Sequence, residues 1–243
     1  MSSLEICIDN LESLFTAQQT GADRIELCSA LGLGGLTPSY GFMQAAARHA
    51  TIPVYAMIRP RAGDFCFSEG EFEMMLLDIA AARAASLQGV VVGLLDEEGR
   101  VPPAKLARLV EAAGPLGVTF HRAIDVSSNW RQDVETIVAA GCERILSSGL
   151  APSALAGLAT LQAMQQLLAG RASLMPGAGV NADNVMAILE ATGVSEVHMS
   201  AMGWRGGIQP SGVSMGASDD GRINMTDGNK VATVRALLDR ADI

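Results

Sequence analysis

Lysine is nearly missing from this 243-residue chain: Lys105 and Lys230 are the only two among 17 basic residues. Charge of either sign is sparse at 18%, and 26 acidic residues leave a formal charge of −9. That balance argues against nucleic acid or an anionic membrane surface as a partner. No apolar run approaches the roughly 18 residues of a spanning helix. Met1-Ser2-Ser3 leads directly into a strand-like segment with no export signal, so the expectation is a cytoplasmic protein. Four cysteines, Cys7, Cys28, Cys66 and Cys142, stand far apart with no Cys-x-x-Cys pair. This excludes the usual structural zinc and dithiol redox motifs and predicts free thiols in a reducing cytosol.

What the chain does have is apolar residue, 49% of the total, enough for a large core. Short β-type runs alternate with longer helical stretches, eight of each. The predicted strands are Leu4–Ile8, Arg24–Cys28, Val54–Arg59, Val90–Leu95, Val118–Arg122, Arg144–Ser148, Leu174–Gly177 and Val197–Ser200. Their starts lie roughly 20 to 36 residues apart, the spacing of βα units in a parallel sheet. Thr37-Pro38 is expected to open the second helix, Ser68 with Glu71 to form a capping box for the third, and Asn181 with Asp183 to open the seventh.

Three segments repeat a glycine-to-strand pattern: Gly21-Ala-Asp-Arg-Ile-Glu-Leu-Cys, Gly141-Cys-Glu-Arg-Ile-Leu-Ser-Ser and Gly193-Val-Ser-Glu-Val-His-Met-Ser. Aligned, Glu26, Leu146 and His198 share one position, and Cys28, Ser148 and Ser200 another two residues later. Eight such units in one chain of this length predict a single α/β domain over residues 1–243, a (β/α)8 TIM barrel. An open doubly wound sheet is the alternative. The glycine-rich stretch 202–227 breaks the rule of short connections, and is read either as a lid over the C-terminal face or as a packing excursion.

Period-two alternation points Glu5, Cys7, Glu26 and Cys28 into the barrel. Inward carboxylates need compensation, for which Arg59, Arg61 and Arg122 are candidates. The segment Arg59-Pro60-Arg61 makes a stiff cationic loop after the third strand, suited to a carboxylate or phosphate or to local ion pairs. His121-Arg122-Ala123-Ile124-Asp125 ends the fifth strand, and His198 lies on the eighth. Both histidines are expected to point inward as acid/base groups or metal ligands. The candidate catalytic set is therefore Glu5, Glu26, Arg59, Arg61, His121, Arg122, Asp125 and His198. Gly177, Gly179, Ser148 and Ser200 follow strands six to eight, where barrels often bind anions or phosphates through backbone N–H groups. Neither lysine ends a strand, so a Schiff-base mechanism has no nucleophile.

The ordered motifs resemble those of the CutC copper homeostasis family. They are Leu4-Glu-Ile-Cys7, Gly21 to Cys28, Gly34-Gly-Leu-Thr-Pro-Ser39, Ile58-Arg-Pro-Arg61 with Gly63-Asp-Phe-Cys-Phe-Ser68, Phe120-His-Arg-Ala-Ile-Asp125 and Gly177-Ala-Gly-Val180. The resemblance implies a TIM barrel, a cytoplasmic homodimer and a role in copper homeostasis. It also implies Cu(I) at Cys7 and Cys28, neighbouring inward thiols suited to a soft ion. Phe67 departs from the tyrosine usual in the family. Beside copper handling, the residues suggest a lyase, isomerase or hydrolase acting on a small anionic or phosphorylated compound. A divalent metal on Glu5, Glu26, His121 or His198 is a third expectation.

Overall fold

The computed structural model of the chain describes residues 2–207 and 221–241. Eight parallel strands form the sheet: β1 (Ser3–Ile8), β2 (Arg24–Leu27), β3 (Val54–Met57), β4 (Gly89–Val92), β5 (Gly117–Phe120), β6 (Arg144–Ser147), β7 (Ser173–Pro176) and β8 (Glu196–Met199). Hydrogen-bonded neighbours run in the order 7-6-5-4-3-2-1-8, and β7 lies against β8, giving a nearly closed barrel. Around it stand α1 (Leu11–Gln19), α2 (Tyr40–His49), α3 (Glu69–Ala84), α4 (Pro103–Ala113), α5 (Trp130–Ala140), α6 (Leu158–Leu168), α7 (Val185–Thr192) and α8 (Gly228–Ala241). The expected (β/α)8 barrel is the fold.

The strands hold because their outward residues share one apolar layer with the helices. Leu4, Ile6, Ile8, Ile25 and Leu27 are fully or almost fully buried beside Leu14 and Ala17 of α1 and Met43 and Ala46 of α2. Burying each such leucine or isoleucine contributes about 1.5–3 kcal/mol. At the helix starts, Ser68 and Glu71 form the expected capping box. The second helix differs from expectation. Ser39 caps α2 by accepting from Phe42 N–H at 3.2 Å, because the Thr37 hydroxyl is taken by Arg59 N–H at 2.9 Å. Asn184 is the N-cap of α7, one turn after Asn181, whose side chain instead accepts from Asp183 N–H at 2.8 Å.

The stretch 202–227 was expected as a loop, yet its described ends pair. Met202–Gly206 (β9) and Arg222–Thr226 (β10) form an antiparallel ladder. These stems lean on the start of α1. Asn10 Nδ2 donates to Asn224 O at 2.8 Å, and Thr226 N–H to Ser13 Oγ at 2.9 Å. Gly212 and Gly216 fall outside the described residues.

At the N-terminal end the barrel interior is ionic, where such barrels are usually apolar. Arg24 donates to Glu5 and, at 2.6 Å, to Glu196; Arg144 reaches Glu196 at 2.7 Å. Tyr55 lies between the two guanidiniums, whose carbons are 5.4 and 5.5 Å from its ring centroid. Its ring occupies space that Gly89 and Gly117 leave. A Cβ at either glycine would approach Tyr55 to 2.3 or 2.2 Å.

Candidate functional site at the barrel mouth

Strand register builds the site. β8, β1 and β2 are adjacent, and pairing sets Glu5 beside His198 and Cys7 beside Glu26. All four side chains are buried. His198 Nδ1 meets Glu5 Oε1 at 2.8 Å, and Nε2 lies 3.8 Å from Glu26 Oε2. Burial disfavours an imidazolium, but Glu26, Cys7 and Glu5 outweigh it and hold the His198 pKa well above the usual 6.5. Burial likewise opposes a charged Glu5, yet Arg24 and His198 bring its pKa down to about 2. Burial pushes Glu26 up, outweighing the pull of the His198 imidazolium 3.8 Å away.

Above this layer opens a cavity of about 330 Å³. Polar groups from five loops and strands reach it: Glu26, Arg59, His121, Arg122, Gly179 and Ser200. Leu31, Leu33, Met57, Phe65, Leu146, Met199 and Met202 supply apolar wall. His121 is buried, and its Nδ1 accepts the Ala123 N–H at 3.1 Å. Burial, with Arg59 nearby, lowers its pKa to about 3. The ring fits because residue 93 is glycine; a Cβ there would sit 2.2 Å from His121 Cε1. Three residues that line this cavity each keep one buried side-chain atom without a hydrogen-bond partner: Glu26 Oε1, Arg59 Nε and His121 Nε2.

Backbone strain gathers at the same end. Ala30, Leu150, Ala178 and Ala201, in loops after β2, β6, β7 and β8, have φ of 50°, 61°, 73° and 43°. Non-glycine residues hold such angles at a cost of about 1–3 kcal/mol, and they concentrate at functional sites.

The other expected site residues are placed differently. Arg61 turns away from the cavity, to Glu71 at 2.6 Å and Asp64 at 2.9 Å, with its guanidinium over Phe67. Arg59 is split in role. Nη1 and Nη2 hold the carbonyls of Leu33, Gly35 and Gly63 at 3.0–3.1 Å, and the buried Nε has no partner. Asp125 accepts from Ser147 Oγ, Ser148 N–H and Oγ, and Leu150 N–H, and pairs with Arg122 at 2.8 Å. It braces the loops after β5 and β6, and Ser148 belongs to that brace. Gly177 packs under the Leu146 side chain, where a Cβ would come within 2.6 Å. Of the four expected anion-cradle residues, Gly179 and Ser200 border the cavity. Arg59, Arg61 and Arg122 were candidates to offset the inward glutamates, but Arg24 is the cation that pairs with Glu5.

The cysteine pair also separates. Cys7 Sγ, a Glu26 oxygen and a His198 nitrogen all lie within 4.8 Å of one another, a set that could hold a metal ion. Cys28 instead gives its S–H to Glu26 Oε2 at 3.6 Å, beneath Gly35. Burial and the neighbouring carboxylate Glu26 push Cys28 well above the usual thiol range; burial raises Cys7 too.

Sequence reasoning passed over Arg24, Arg144 and Glu196. The signal was present: in the three-fold repeat they share the position two residues before Glu26, Leu146 and His198, hence the same inward face. Gly212 to Gly216 spell Gly-x-Ser-x-Gly. That string lies outside the described residues.

The fold and its mouth define a (β/α)8-barrel protein with a charged interior and a polar cavity beyond the strand ends. Residues 2–203 match the CutC family, and the chain belongs to that family. A family protein CutC from Vibrio campbellii is 51% identical over 248 residues, covering 98% of this chain and 99% of the relative. One from Photobacterium profundum is 56% identical over 202 residues, 83% of this chain and 82% of the relative. Among solved structures, the putative copper homeostasis protein CutC from Streptococcus agalactiae is similar at 31% identity and a TM-score of 0.79. It covers 82% of this chain and 99% of its own. Thiamine phosphate pyrophosphorylase from Pyrococcus furiosus shares the fold alone, with a TM-score of 0.61, 16% identity and coverage of 98% and 96%.

Proposed function

We propose that the chain is a barrel enzyme acting on a small anionic compound bound at the C-terminal mouth. The observation that carries this reading is the cavity beyond the strand ends lined by Glu26, Arg59, His121, Arg122 and Ser200, three of which keep a buried polar atom without a partner. Each unpaired buried polar group costs about 1–3 kcal/mol, a cost that calls for a functional explanation. Arg59 and Arg122 supply positive charge, neutral His121 an N–H donor, and His198 a proton held between carboxylates. These are the parts a lyase, isomerase or hydrolase needs. The test is thermal melting of the full chain with phosphate, glycerol 3-phosphate and short carboxylates. A ligand at about 100 times its Kd adds about 2.7 kcal/mol, which raises Tm by about 5–10 °C. No rise with any of them would refute the reading.

A second reading is favoured by the Cys7–Glu26–His198 cluster. It makes the chain a copper-handling protein, in line with the name of the Streptococcus agalactiae relative. Cys7 would be the thiolate ligand and His198 Nε2 the imidazole ligand, with Glu5 orienting the ring from behind. Met57, Met199 and Met202 border the same cavity and add soft thioether sulfur, suited to Cu(I). Cys28 does not fit as the second thiolate while its S–H is engaged by Glu26. Cu(I) titration against a competing chelator tests this: Cys7→Ser weakens binding strongly, Cys28→Ser far less. Equal affinity in all three proteins would remove copper as a ligand of this site. Both readings place the chain in the cytoplasm as a homodimer, following the family resemblance; light scattering after size exclusion measures the dimer.

A further inference from the structure

We infer that Cys7, Glu26 and His198 form a three-ligand site for a divalent ion of the zinc class, with its fourth position open to the mouth cavity. The inference takes the three residues of the copper reading and assigns them a different ion. From the small-anion reading it takes only the occupant of the fourth position.

Adjacent strands set the ligands. Cys7 and Glu26 are register partners on β1 and β2, and His198 comes from β8 on the other side of β1. Glu5 is ion-paired with Arg24 and so is a carboxylate that only accepts; His198 Nδ1 therefore donates to it, at 2.8 Å. In the neutral ring the lone pair is then on Nε2, which stands 3.8 Å from Glu26 Oε2. That is too long for a hydrogen bond, and close to the roughly 3.3–3.6 Å between oxygen, nitrogen or sulfur ligands on one tetrahedral zinc ion. Cys28 donates its S–H to the same Oε2 while Glu5 backs the imidazole, so two of the three ligands already have the outer hydrogen bond that orients a metal ligand. The other Glu26 oxygen, Oε1, is buried with no partner in the barrel.

Charge selects the ion. Arg24 matches the Glu5 carboxylate, whereas no arginine or lysine pairs with Glu26 among the described residues. A metal binds Cys7 as thiolate and Glu26 as carboxylate, two negative charges beside a neutral imidazole. A divalent ion makes that buried set neutral, and Cu(I) leaves one negative charge away from water without a counterion. The donors agree. Sulfur, nitrogen and oxygen together suit zinc, Cu(I) prefers sulfur to a carboxylate, and Mg(II) or Ca(II) prefers oxygen alone. On this assignment Met57, Met199 and Met202 are apolar wall. Catalytic zinc has three protein ligands and one free position, where structural zinc has four protein ligands. All three residues here line the cavity together with Arg59, Arg122 and Ser200, so water or an oxygen of a bound anion completes the set.

The experiment titrates the full chain, stripped of metal and kept reduced, with Zn(II), Co(II) and Cu(I) in turn, each against a competing chelator. The expected result is one Zn(II) per chain, at a site where Co(II) gives a near-ultraviolet thiolate charge-transfer band and the strong visible bands of four-coordination. Cys7→Ser removes the charge-transfer band and Cys28→Ser leaves it. Glu5→Gln keeps the band and weakens Zn(II) by about 10–100-fold, the effect of losing an outer partner. Azide or acetate shifts the visible bands by entering the fourth position; bands that neither moves would overturn the opening to the cavity. Where Cys7→Ser does not fold, the wild-type spectrum and Cys28→Ser decide the matter. Absence of Zn(II) binding, or a Co(II) complex without the thiolate band, would overturn the inference. Cu(I) binding that depends on Cys7 would in that case leave the copper reading standing, and melting of the metal-free chain with anions tests the small-anion reading separately.

Discussion

Glu5 is the side chain whose removal tests the ionic interior most directly. It is fully buried between Arg24 and His198, and its pKa falls from the usual 4.5 to about 2. At 1.36 kcal/mol per tenfold change in proton affinity, that difference corresponds to about 3 kcal/mol of stability at neutral pH. Glu5→Gln keeps the shape and deletes the charge. Arg24 is left with Glu196, and the His198 imidazolium with Glu26. Breaking a buried pair from one side costs about 3–5 kcal/mol, in the same range. For a chain of this size the wild-type and variant melting points should differ by about 6–12 °C at neutral pH. The sign with pH follows from the lowered value. The stabilisation by an ionised Glu5 is complete above 4.5 and disappears as pH falls through about 2. Urea unfolding of both proteins at neutral pH and at about pH 3 should therefore show the gap narrowing on acidification. A gap below about 1 kcal/mol at neutral pH, or one that does not change with acid, would refute the assignment of Glu5 as a charged member of this network.

Two further outcomes follow from His121. Gly93→Ala places a methyl 2.2 Å from the imidazole carbon, so the ring must leave its seat. The expected cost is about 1–3 kcal/mol by overpacking, together with loss of ligand binding; unchanged melting and binding would show that the ring does not depend on that space. Second, the His121 ring is expected to remain neutral down to about pH 3, read from its Cε1 proton shift. Between the unfolded value near 6.5 and about 3, the folded state binds fewer protons than the unfolded one, so this group makes stability fall on acidification. A midpoint near 6.5 would contradict the buried, singly bonded ring.

The barrel was legible because its signals are local. Eight apolar runs with turn residues between them mark the strands, and alternation alone sends Glu5 and Cys7, or Glu26 and Cys28, to the inner face. The partners of those residues depend on closure. Arg24 meets Glu196 across 172 positions of sequence, because β8 returns beside β1. Arg61 was misjudged for a similar reason: the capping box that starts α3 turns Glu71 back toward the loop after β3, where it captures the guanidinium. Charge and proximity in sequence could not reveal that Arg59 spends most of its donors on carbonyls. The pairing of β9 with β10 joins the ends of a stretch whose sequence marks it only as an unusually long, glycine-rich connection. In the repeat, however, the inward layer of Arg24, Arg144 and Glu196 was written plainly, one inward position before the residues that were noticed.

Tyr55, wedged where Gly89 and Gly117 leave room and flanked by Arg24 and Arg144, stoppers the N-terminal end of the barrel. Traffic is then confined to the mouth. On the small-anion reading a ligand, the water it displaces and any product would share that one mouth, with Leu33 and Met202 in its lining. On the proposed enzymatic reading, turnover in such a blind-ended vessel would be paced by the loops at the rim, and a product resembling its substrate would compete for re-entry.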